Sequence, residues 1–124
     1  MKKAIATTAA PGAIGPYSQA IDAGSFVFVS GQIPVDPATG NVPEGITAQS
    51  QQSLRNLTAI LKEAGMTTAN VVKTTVFLAD IADFAAMNAE YAKAFSEPFP
   101  ARSAVAVRDL PKGVLVEIEA IAVR

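Results

Sequence analysis

Two hydrophobic periods alternate along the chain, and the switches between them mark out its elements. The run Phe26-Val27-Phe28-Val29 predicts a buried strand over 25–30, stopped by Gly31 and followed by turn-forming Pro34, Pro37, Gly40 and Pro43. Leu54, Leu57, Leu61 and Ala64 then recur by three and four, which predicts an amphipathic helix from an N-cap at Thr47 to Ala64, with Gly65 at C′. Over 71–78 the period returns to two: Val72, Val76 and Leu78 alternate with Lys73, Thr75 and Phe77, the pattern of a strand with a buried face. Asp80 or Asp83 caps a second helix carrying Phe84, Met87, Tyr91 and Phe95 along one side, and Pro98 and Pro100 end it. Segments 102–107 and 114–123 read as two strands joined by a turn at Pro111, Lys112 and Gly113. A short strand over 3–7 precedes a loop through Pro11, Gly12, Gly15 and Pro16 that ends at Tyr17.

The order β, β, α, β, α, β, β, with a hairpin at each end, predicts an α+β two-layer sandwich: a mixed β-sheet with two helices on one face. The other sheet face then needs a cover, and a further subunit is the simplest one. Composition agrees with this. Half of the 124 residues are hydrophobic, although Trp is absent and only six Phe and two Tyr are present, so the interior must be built mainly from Ala, Val, Ile and Leu. No composition shift divides the chain, and 1–124 is expected to be a single domain that self-associates.

Charge and residue types narrow the chemistry. Ten Lys+Arg against eleven Asp+Glu, with no basic block, argue against nucleic acid as a partner. No stretch has the length of a membrane span or a secretory leader, so no membrane partner and a cytoplasmic location are expected. Cysteine and histidine are both absent, which excludes disulfides, thiolate nucleophiles, Cys/His zinc sites and every triad that needs His. Acid–base work falls to Asp, Glu, Lys, Tyr or bound water. No metal and no cofactor are expected.

A few residues stand out against their surroundings. Glu117 and Glu119 lie two apart in the otherwise apolar VLVEIEAIAV, so a strand points both to one side. They line a wet strand face or pair with lysines, or they serve chemistry; Ile121 and Val123 continue the same alternation and argue against a uniformly wet face. Arg102 has small neighbours, Ala104 and Ala106, on its own side. It is a surface arginine in a weak ion pair, or a planar fork for a carboxylate. Ser30 and Gly31 end the FVFV strand where main-chain groups can meet a ligand. Tyr17 and Asn88 are equally compatible with core packing or an exposed helix position.

Taken together, GPYSQA at 15–20, FVSGQIPVDPATG at 28–40, FPARSAVAV at 99–107 and LPKGVLVEIEAIAV at 110–123 closely resemble the Rid/YjgF family of imine deaminases, in order and over the whole chain. The resemblance implies a chorismate-mutase-like fold, a homotrimer with clefts between neighbouring subunits, and hydrolysis of small 2-imino acids, 2-iminopropanoate and 2-iminobutanoate, to 2-keto acids and ammonia. It gives Arg102 the role of carboxylate binder and Glu117 that of the acid that holds and activates water. Tyr17, Ser30, Gly31 and Asn88 match other cleft positions, and the main-chain N–H of Ala104 is placed near the substrate carboxylate. Many relatives carry a cysteine where this chain has Ala104, so a thiol role is excluded here. The link from Phe95 to Arg102 is also shorter than in many relatives.

That reading needs Arg102 and Glu117, on adjoining C-terminal strands, to converge on one pocket shared between protomers. Two further readings stay open: a metabolite-binding regulatory module that uses the same cleft without turnover, and an endoribonuclease or translation inhibitor, which the absence of His and of a basic patch disfavours.

Overall fold

A computed structural model describes residues 1–124. Its strands are β1 (Lys3–Ile5), β2 (Ala20–Asp22), β3 (Phe26–Gln32), β4 (Val71–Leu78), β5 (Ala101–Ala106) and β6 (Val116–Val123). Helix α1 (Ile46–Glu63) joins β3 to β4, and α2 (Phe84–Ala94) joins β4 to β5. All six strands form one sheet in the order β1-β2-β3-β6-β4-β5. Every pairing is antiparallel except β4 with β5, which is parallel and has α2 as its crossover. The expected mixed sheet with two helices is the architecture found.

Parity along the strands decides what is buried. Val27, Val29, Val76, Leu78, Val116, Ile118, Ala120 and Ala122 all point to one face, where they meet Leu54, Leu57, Ile60 and Leu61 of α1 and Met87 and Tyr91 of α2. On the opposite face Phe26, Phe28 and Val105 are each 45% exposed, so the uncovered face anticipated from the sequence is present and carries large apolar side chains beside Lys73, Glu117 and Glu119.

Four expectations need correction. The strand β2 was not anticipated, because Ala-Ile-Asp is too short to carry a period, and it lies between β1 and β3, so the expected opening hairpin is a three-strand meander. β5 and β6 do not form a hairpin: β4 pairs with both and lies between them. Val72 is exposed, since a register shift between Val71 and Lys73 breaks the alternation there. The N-cap of α1 is Gly45, at φ 87°, and not Thr47, which lies within the first turn. Gly65, at φ 74°, does follow the C-cap Ala64 as expected.

The buried face of α1 is unusually polar, and its amides hold loops in place. Asn56 Nδ2 donates to the carbonyls of Ile33 (3.1 Å) and Val35 (3.0 Å), while its Oδ1 accepts from Gln52 at 2.9 Å. Gln49 donates to the Pro43 carbonyl at 3.0 Å and accepts from the Leu115 N–H at 2.8 Å. The loop after β3 is therefore fixed to the helix at both ends. Because Asn56 is only 1% exposed, Asn56→Leu should leave buried carbonyls unpaired and cost about 1–3 kcal/mol, read as a lower denaturant midpoint. An unchanged midpoint would contradict that account.

Candidate active site

The residues singled out in the sequence fall into two groups on opposite sides of the sheet. The first surrounds the C-terminal end of β3. Val29 pairs with Ala120 and Gln32 with Ile118, so Ser30 and Gly31 together oppose Glu119 alone in a bulge. The bulge turns the main chain of Gly31 towards Glu117. A Cβ on Gly31 would fall on the Glu117 carboxylate, so glycine here provides the close approach of a carboxylate to the backbone.

The loop facing this bulge is held by one amide. Gln19, 4% exposed, accepts from the Thr7 N–H at 2.7 Å and donates to the carbonyls of Thr7 (3.0 Å), Ala10 (3.3 Å) and Pro11 (2.7 Å). The Ser30 hydroxyl donates to the Ser18 carbonyl at 2.6 Å, and the Ser30 N–H to the Gln19 carbonyl at 2.9 Å. Tyr17 is thereby set over a cavity of about 890 Å³ lined also by Ser30, Gly31, Glu117 and Glu119. Gln19 was not recognised as important from the sequence. A lone amide between a Pro/Gly-rich loop and a strand was the available signal, since such a loop leaves main-chain groups without partners.

Burial raises the pKa of the half-buried Glu117 carboxyl above the ordinary value, and the like charge of Glu119 raises it further. Glu117 pairs with Phe77 and Glu119 with Thr75, on the face away from the helices. No group of three or more acidic, His or Cys side chains is placed to hold a metal ion.

The second group lies on the helix side, at the outer edge of the sheet. Arg102 pairs with Thr74 across β4 and β5, and its Nη1 donates to Asn88 Oδ1 of α2 at 2.7 Å. Its guanidinium lies 4.7 Å from the centroid of the Tyr91 ring and 5.4 Å from that of Phe84. The expectation of adjoining strands is thus incorrect, and within one chain the two side chains do not converge on one pocket. β4 separates the strands of Arg102 and Glu117, and their side chains project from opposite faces.

Ala104 belongs to this second group through its main chain. The Val107 N–H donates to the Leu78 carbonyl at 2.8 Å. Because main-chain groups alternate along a strand, the Ala104 N–H, of opposite parity, turns to the free edge of the sheet. One chain thus holds two separate groups: Tyr17, Ser30, Gly31 and Glu117 in one, and Arg102, Asn88 and the Ala104 N–H in the other.

Residues 7–124 match the family described as endoribonuclease L-PSP, the Rid/YjgF proteins. The chain belongs to this family. Among its relatives, the 2-iminobutanoate/2-iminopropanoate deaminase of Salmonella typhimurium is 58% identical, over 100% of this chain and 99% of that one. The crystal structure of Escherichia coli TdcF with bound serine superposes with a TM-score of 0.95 at 51% identity, covering 98% of each chain. The E. coli YjgF gene product does so with the same score at 55% identity, also over 98% of each. The likeness spans both groups of residues in this Rid protein.

Gly31→Ala should leave the sheet intact and expel the Glu117 carboxylate from its place against the bulge. A crystal structure of the variant checks this, and an unmoved Glu117 side chain would contradict it.

Proposed function

We propose that this chain, acting as a single domain over 1–124, is an imine deaminase that hydrolyses 2-iminopropanoate and 2-iminobutanoate to the 2-keto acids and ammonia. The observation that carries the reading is the division into two groups, taken here as half-sites. The guanidinium read as a carboxylate grip and the carboxyl group read as a water holder lie on opposite faces of the sheet, so in this reading a second copy brings them together. The exposed Phe26, Phe28 and Val105 on the uncovered face and the free edge of β5 favour such a copy, and we take the assembly to be a homotrimer with one cleft at each subunit boundary. The names of the close relatives support the same substrate class. We place the protein in the cytoplasm; no helix is long and apolar enough to cross a membrane.

In this mechanism Arg102, aided by the outward N–H of Ala104, fixes the substrate carboxylate and so brings C2 to a set place. Glu117 of the neighbouring copy holds a water near the Gly31 main chain. The water oxygen adds to C2 of the protonated imine as Glu117 accepts its proton. The carbinolamine then receives a proton on nitrogen from Glu117, the C–N bond breaks to release ammonia, and the hydroxyl proton passes to the Glu117 carboxylate and on to the ammonia as the keto group forms. Every atom is accounted for by imine and water. The raised pKa of Glu117 makes its carboxylate the stronger base for taking the water proton. Alanine at 104 suffices if the position supplies only its main-chain N–H. The family's description as an endoribonuclease names the other reading, but the residues speak against it, because the chain lacks His and carries a net charge of -1.

A coupled assay that generates the imine in place tests this. Arg102→Ala and Glu117→Gln should each lower the enzymatic rate by about two orders of magnitude or more while assembly is kept. Binding of 2-ketobutyrate by an assembled wild-type protein that gives no rate above the spontaneous reaction would favour the regulatory module instead. The rate should rise with pH as Glu117 loses its proton. Since Glu119 pushes that pKa up, Glu119→Gln should move the rising limb to lower pH; an unmoved limb would remove Glu117 from the role of base.

A further inference from the structure

A polar pair in the core is left unexplained by the chemistry above. Thr74 and Tyr91 are 0% and 4% exposed, and their hydroxyls bond each other at 2.7 Å, with no second side-chain partner. Thr74 occupies a β4 position whose parity is otherwise apolar, since Val76 and Leu78 follow it on the same face. A valine would fill that space and remove the need to bury a hydroxyl. The bond instead ties the far end of the Tyr91 ring to the strand, while Phe95 packs beside the ring at a centroid distance of 4.5 Å.

The same ring is the platform for Arg102. Thr74 is the strand partner of Arg102, and the guanidinium lies over the ring that Thr74 anchors. Asn88 takes Nη1 from the side, one helical turn before Tyr91. A guanidinium grips a carboxylate with two bonds only when its plane is set, and a long, partly exposed side chain does not set that plane by itself.

We propose that Thr74 and Tyr91 are a positioning pair: the hydroxyl bond fixes the tilt of the Tyr91 ring, and the ring fixes the plane of the Arg102 guanidinium for a substrate carboxylate. Neither residue touches the substrate. The proposal rests on the reading of Arg102 as the carboxylate binder. It assigns the pair an effect on carboxylate affinity, with the proton-transfer step at Glu117 left alone.

The test uses the assembled protein, with 2-ketobutyrate affinity measured by calorimetry and the hydrolysis rate measured at saturating imine supply. Tyr91→Leu should weaken 2-ketobutyrate binding by about tenfold and change the saturated rate by less than about threefold. Wild-type affinity in that variant would overturn the proposal. Thr74→Val should weaken binding severalfold and also lower thermal stability, because it orphans the Tyr91 hydroxyl. Adding Tyr91→Phe removes the orphan, so stability should recover while affinity stays reduced; affinity that recovered together with stability would make the pair ordinary packing. Arg102→Ala serves as the control. If it binds 2-ketobutyrate as well as wild type, the carboxylate role of Arg102 is wrong; if only it is impaired, the positioning pair alone is wrong.

Discussion

Residue parity in the sheet is the constraint from which the site follows. A strand sends successive side chains to opposite faces, and the registers of β4 with β5 and β6 leave Arg102 on the helix face and Glu117 on the bare one. No rotamer change brings the two around the sheet. One chain cannot place a guanidinium and this carboxylate on one three-carbon acid, so the proposed chemistry is inseparable from assembly. The exposed Phe26, Phe28 and Val105 and the unpaired edge of β5 are the surfaces that the proposal gives to a second copy.

Each half-site rests on a scaffold that does no chemistry. Gln19 gathers four main-chain bonds beneath the Tyr17 loop, and the Asn56 and Gln49 amides fasten the loop that follows the bulge. The other half-site is built on β4 and α2, where Asn88, Tyr91 and Phe84 surround Arg102. Satisfied buried amides are well suited to this work, since their bonds are directional and costly to leave unmade.

The sequence made much of this legible, and the misses have physical causes. The 3.6-residue repeat of Leu54, Leu57 and Leu61 and the alternation after Lys73 located α1 and β4 because burial on one face writes a period into the chain. β2 is too short to write one. The order of strands in space was not readable from Arg102 to Val123: two consecutive strands with a tight turn suggest a hairpin, and only the long-range register of β6 with β3 and β4 rules it out. Arg102, Glu117 and Gly31 stood out as charges or a glycine in apolar runs. Thr74 and Gln19 did not, although Thr74 shares the parity of Val76 and Leu78 and was visible in principle as a hydroxyl on a buried face. The opposed faces of Arg102 and Glu117 could not be read from either strand alone, because they depend on how β4 intervenes.

The most direct measurement mixes two inactive proteins. Arg102→Ala and Glu117→Gln chains, unfolded together in equal amounts and refolded, form clefts at random between copies. A cleft works when the arginine comes from one variant and the glutamate from the other. A site shared between neighbours then predicts recovery of roughly a quarter of wild-type activity per cleft, from half multiplied by half. Mixed assemblies as inactive as either parent would contradict a site built across the subunit boundary.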